Sequence, residues 1–152
     1  MATTRHAAPR DPAIIRRVAT FGAADGLGIV LGLIAGMIVS HQPPRAVWAA
    51  ALSGGVAELF SMANGQRISD PRSGWPPAIT IGAASLAGCA IPAIPYSFSS
   101  GTAALTAALA LCAAAAGVIS WARPERGALA VVETFGLLII TGAACSAAGL
   151  WL

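Results

Sequence analysis

The sequence predicts an all-α integral membrane protein of five transmembrane helices, with the N-terminus cytoplasmic and the C-terminus outside. Three observations lead there. The first is composition: of 152 residues, 57% are hydrophobic and only 10% charged, against roughly 25% charged in an ordinary soluble domain. The chain has 36 alanines and 17 glycines, with nine arginines and no lysine. Small residues in that proportion suit closely packed membrane helices. A disordered chain, with its low hydrophobicity and many charges, is excluded. The second observation is the presence of five apolar windows of about 20 residues, the length a helix needs to cross the hydrocarbon core. The third is the placement of the arginines between those windows, which sets orientation.

Taken in order, residues 1–17 hold Arg5, Arg10, Arg16 and Arg17 and read as a flexible basic cytoplasmic tail. A five-helix transmembrane domain over 18–152 follows, with spans at about 18–40, 46–68, 77–94, 102–122 and 127–152. No cleavable signal peptide is expected, because the first apolar run exceeds a signal h-region and has no clear small-x-small cleavage site. The tail and the segments after spans two and four carry eight arginines, whereas the opposite side carries only Arg45. That asymmetry places the N-terminus in the cytoplasm. The same arginines form no basic face, so the net charge of +3 sets topology and nucleic acid is not an expected partner.

Cys89, Cys112 and Cys145 lie in three different spans without metal-ligand spacing and read as buried packing residues. His6 and His41 fall in a tail and a loop, far apart, and read as solvated.

The acids are more informative. Asp11, Asp70 and Glu125 fall in the cytoplasmic tail or loops, whereas Asp25, Glu58 and Glu133 fall inside spans. A carboxylate within the bilayer is costly and is a functional-site hypothesis by default. Asp25 stands eight residues beyond Arg17, about 12 Å along a helix, and Glu58 nine residues before Arg67, about 13 Å. Glu133 stands seven residues beyond Arg126, about 10 Å. The three acids therefore share one level in the cytoplasmic half of the membrane. Glu133 is near enough to the interface to sit in headgroup water or pair with Arg123 or Arg126 as readily as to line a path.

On span two, Glu58, Met62 and Gln66 recur every fourth residue and form a stripe of carboxylate, thioether and amide. On span one, Asp25 shares a helical face with Gly28, Gly32 and Gly36, spaced for close helix packing. No arginine lies at the depth of Asp25 and Glu58, so a cation or a proton must neutralise them if they are buried together.

The stretch from Phe21 to Leu27 (FGAADGL), followed by Ser61-Met62-Ala63-Asn64-Gly65 and Ser69, resembles the vacuolar iron transporter family. Its first span begins with FGxxDGL and its second ends in SMAxGEYxS. The turn from Ile91 to Tyr96 is similar to the proline-rich end of the family's third span. The resemblance is good over residues 18–70 and moderate over 88–96, and in the last two spans it rests on their number and length alone.

The resemblance implies a dimer that passes divalent metal along its two-fold interface in exchange for protons. Asp25 would be the path aspartate and Met62 the path methionine. Gln66 stands where the family pattern has the glutamate of GEY, and Arg67 where it has the aromatic residue. Glu58, one helical turn below the position of a span-two glutamate in some relatives, is read as its substitute. The loop from Arg67 to Trp75 is too short for the metal-binding insertion that many members carry.

The expectation is therefore a multi-pass cell-membrane homodimer that exports Fe²⁺ or Mn²⁺, with metal and protons as its ions and no permanent cofactor. The alternative is a non-transporting scaffold or regulatory protein on the same frame. An enzyme is not expected, since the chain has no nucleophile with a base and no phosphate loop.

Overall fold

A computed structural model describes residues 11–123 and 128–150. Among them are five helices long and apolar enough to cross a membrane and no strand. They are α1 (Pro12–Val39), α2 (Pro44–Ser69), α3 (Trp75–Ala93), α4 (Gly101–Ala122) and α5 (Ala128–Gly149).

The start of α1 corrects the expected boundary. The helix begins at Pro12, not at residue 18, so residues 12–17 are helical and not part of a flexible tail. The cause is local: Asp11 Oδ1 accepts a hydrogen bond from the Ala13 N–H at 2.9 Å, and Pro12 occupies the first turn, where its missing N–H costs nothing. Residues 1–10, with Arg5, His6 and Arg10, lie outside the described residues. At 28 residues α1 is about 42 Å long, more than the roughly 30 Å of hydrocarbon. Its Arg16–Arg17 turn can therefore stand in the headgroup region.

The far end of α1 closes with the paired hydrogen bonds of a Schellman cap. Gln42 N–H donates to Met37 O at 2.9 Å and His41 N–H to Ile38 O at 3.0 Å. His41 takes the left-handed position, φ 57°, that glycine usually fills.

Residues 70–74 join α2 to α3 through one 3₁₀ turn, Pro71–Ser73, and Gly74 at φ 77°. Helix α3 carries Pro92 in its last turn and passes into a second 3₁₀ turn, Ile94–Ser97, that buries Pro95 and Tyr96. The third span thus runs over Trp75–Ser97, slightly longer at both ends than expected.

Helix α3 organises the bundle. It packs on α1 and α2 far more extensively than those two pack on each other. Glycines make this possible by bringing backbones together. A Cβ at Gly22 or Gly26 of α1 would strike the Ile81 or Ser85 carbonyl of α3. One at Gly82 of α3 would strike the Leu59 carbonyl of α2. The pairs 22 with 81 and 26 with 85 rise together, so α1 and α3 are parallel. Gly55 against Leu86 and Cys89 runs the other way, so α2 is antiparallel. Helix α5 lies parallel to α1, its Cys145 against Gly32 and its Gly149 against Gly36.

Helix α4 contributes a stripe at every fourth residue, Ala104, Ala108, Cys112 and Ala116, to a core built on Leu27, Val30 and Ile34. Helix α5 leaves Leu129, Val132, Leu137, Ile139 and Ile140 outward, as a lipid-facing helix would. This up-and-down order brings Arg16, Arg17, Arg67, Arg72 and Arg123 to one end of the bundle. Arg126 lies outside the described residues. The three cysteines are free thiols, Cys89 and Cys112 buried.

Candidate functional site

Asp25 sits on α1 one position before Gly26 and three after Gly22, the two glycines seated on α3. Glu58 sits on α2 between Gly55 and Leu59, both also against α3. Because the same short stretch of α3 holds both helices at backbone contact, the two acids emerge at one level from neighbouring helices. Their carboxyls come within hydrogen-bonding reach of each other. Both side chains are half-buried.

The α3 side of this pair is polar in a way that the sequence reading missed. Ser85 is fully buried, and its hydroxyl has no hydrogen-bond partner among the described residues. Cys89 is also fully buried; its thiol donates to Gly26 O at 3.3 Å and lies close enough to sense the charge of both carboxyls. Gly82, Ser85 and Cys89 recur at offsets of three and four. That run of small and polar residues on one face of an apolar helix is the available sequence signal.

The other expected residues distribute themselves differently. Met62 and Gln66 continue the Glu58 stripe toward the arginine-rich end, both half-buried. Glu133 is not brought to the pair: it meets Arg123 Nη2 at 3.5 Å, and Arg123 Nη1 donates to Thr134 Oγ1 at 3.3 Å. This is the arginine pairing that its place near the interface had left open, and it takes Glu133 to the α4–α5 connection.

The glycine stripe divides as well. Gly32 and Gly36 pack on α5, but a Cβ added at Gly28 would meet nothing within 4 Å. Gly54 and Gly65 on α2 are equally open. The Asp25–Glu58 pair is therefore flanked by glycines with open space where a side chain would stand.

Chemically, a hydrogen bond between two carboxyls needs one proton between them, since an ionised carboxylate only accepts. A cation in place of that proton satisfies the same oxygens. Two carboxyls fall short of a full metal shell. Among the described residues no group of three His, Cys, Asp or Glu side chains converges.

Residues 16–72 match the sequence model of the VIT family. The match covers less than half of the chain and marks a likeness to that family in its first two helices. The matched residues hold most of α1, all of α2 and the turn up to Arg72, and so both carboxyls of the pair. VIT-family proteins are transporters. No curated protein and no solved structure matches the chain.

Proposed function

We propose that this chain, similar to the VIT family in its first two helices, exports a divalent metal, Fe²⁺ or Mn²⁺, from the cytoplasm across the cell membrane in exchange for protons. Its path would run between two copies of the chain. Asp25 and Glu58 bind the metal, and Met62 supplies a soft donor one turn toward the cytoplasmic end.

The observation that carries this reading is the Asp25–Glu58 pair itself, two carboxyls in reach of each other inside spans and, among the described residues, with no arginine paired to either. Such a pair accepts a divalent ion when both are ionised and a proton when one is not, which is the exchange an antiporter needs. The open glycines on the same flank, Gly28, Gly54 and Gly65, support a second copy as neighbour. Two-fold symmetry then doubles one Asp, one Glu and one Met into six donors, suited to octahedral, oxygen-rich coordination. Gln66 would line the same route as a neutral hydrogen-bonding group.

The test is metal flux into proteoliposomes with a pH-sensitive dye inside. Mn²⁺ or Fe²⁺ entry should be matched by counterflow of protons, and Asp25→Asn and Met62→Ala should each reduce flux to background. Wild-type flux in both variants would overturn the path. No flux in the wild-type protein under any gradient would favour the scaffold or regulatory alternative.

A further inference from the structure

A second polar feature lies on the opposite side of α2 and plays no part in the proposed path. Phe60, Ser61, Ala63, Asn64 and Arg67, with Trp75 from the start of α3, line a shallow cavity of about 530 Å³. Phe60, Asn64 and Arg67 recur at offsets of four and three. At 3.6 residues per turn they point about half a turn away from Glu58. The cavity thus opens outward, at the arginine-rich end where α2 ends and α3 begins.

Its chemistry is graded. Phe60 and Trp75 are 68% and 63% exposed, large apolar faces at the depth where aromatic residues gather in membrane proteins. Arg67 is held in place rather than left to swing. Its Nη1 donates to Pro71 O at 2.8 Å, and its guanidinium lies over the Trp75 ring, 5.1 Å from the centroid. That hydrogen bond uses one of five N–H donors. Among the described residues no carboxylate pairs with it, and no acid lines the cavity. A fixed guanidinium with free donors selects a phosphate, which it can grip with two parallel hydrogen bonds. The same positive charge repels metal ions, so the cavity does not serve as a cation vestibule.

We propose that this cavity seats an anionic phospholipid of the surrounding leaflet, its phosphate on Arg67, its glycerol region beside Asn64 and Ser61, and its chain against Phe60 and Trp75. Complementarity of charge carries the assignment, together with the apolar lining directly below the cation, which a free anion would not use. The site is independent of the transport reading and stands even if no metal crosses.

The experiment is native mass spectrometry of the delipidated full chain titrated with dioleoylphosphatidylglycerol, with dioleoylphosphatidylcholine as the zwitterionic comparison. The anionic lipid should be retained about tenfold more tightly, the scale of one charge-assisted contact. Arg67→Ala should abolish the difference, Arg67→Lys should keep part of it, and Arg72→Ala, on the neighbouring turn, should leave it unchanged. Equal retention of the two lipids, or an Arg67→Ala protein that retains the anionic lipid like wild type, would overturn the proposal. Displacement of the lipid by millimolar inorganic phosphate would also overturn it, in favour of a free-anion site. Should Arg67→Ala fail to fold, a protein with Trp48, Trp121 and Trp151 replaced by Phe provides a second readout. Brominated phosphatidylglycerol must then quench Trp75 more than brominated phosphatidylcholine at equal mole fraction, and equal quenching refutes the site.

Discussion

Gly88→Ala is the smallest change that tests how α3 holds the bundle. A Cβ at Gly88 falls 2.5 Å from Ala23 O and 2.9 Å from Leu27 N of α1, where ordinary contact begins near 3.4 Å. Both atoms belong to the main chain of a helix, so neither can swing aside. The new methyl group must push α1 and α3 apart by roughly 1 Å, a gap that forfeits a quarter to a half of the dispersion energy of the atoms lining it. Overpacking of this kind costs about 1–3 kcal/mol, and the better helix propensity of alanine returns about 0.8–1.0 kcal/mol. The net loss is about 0–2 kcal/mol, at its upper end a factor of about 30 in the folding equilibrium, and against a control alanine that gains the same propensity it is the full cost of about 1–3 kcal/mol.

Gly117→Ala on α4 is the matched control, because nothing lies within 4 Å of its added Cβ. The assay is unfolding in mixed micelles by dodecyl sulfate titration, followed by circular dichroism. Gly88→Ala should unfold at a lower detergent fraction and Gly117→Ala at the wild-type value or above. If Gly88→Ala is as stable as Gly117→Ala, the backbone contact between α1 and α3 is not what holds these helices.

Gly28→Leu should leave the folding of one chain unchanged, since its surroundings are open, but should convert a two-copy assembly to monomers by size exclusion and crosslinking; an intact dimer would place the interface elsewhere. Glu133→Gln removes a half-exposed pair at 3.5 Å from Arg123 and should cost less than about 1 kcal/mol with metal flux preserved, whereas lost flux would return Glu133 to the path. His41→Gly relieves a left-handed residue at φ 57° and should stabilise the protein by about 1 kcal/mol, read as a raised unfolding midpoint; an unchanged midpoint would show that His41 carries no strain.

The spans were legible because hydrocarbon thickness imposes a length and arginine marks the ends, two constraints that need no tertiary information. The start of α1 was also written in the chain, as Asp11 followed by Pro12, but the arginines beyond it read as a tail. Depth counting put Asp25 and Glu58 at one level, and the structure has them on neighbouring antiparallel helices packed on the same stretch of α3. For Glu133 the count left both a path role and an arginine pairing open, and the pairing with Arg123 is the one the structure shows, since distance along a helix says nothing of direction around the bundle. The glycine stripe shows the complementary limit. Periodicity identifies one face but not its neighbour, so Gly28, Gly32 and Gly36 looked alike although only the last two meet α5. The glycines that matter most at the site, Gly22, Gly26, Gly82 and Gly88, become visible only when two helices are laid against each other. Ser85 and Cys89 stayed hidden for the same reason, as ordinary small residues until α3 brings them against Gly26, the residue after Asp25.

The glycine contacts along α3 also set what can move. Helices joined through flexible side chains can slide, because rotamers absorb the shear. Here main-chain atoms of α1 and of Leu59 on α2 lie against the glycines and main chain of α3, with few side-chain atoms between them to yield. The three helices that frame Asp25 and Glu58 therefore travel as one rigid plate, with the acids at a fixed spacing throughout. Access to that plate from either side of the membrane has to change at its borders, along α4 and α5 or at the seam with whatever covers its open glycines.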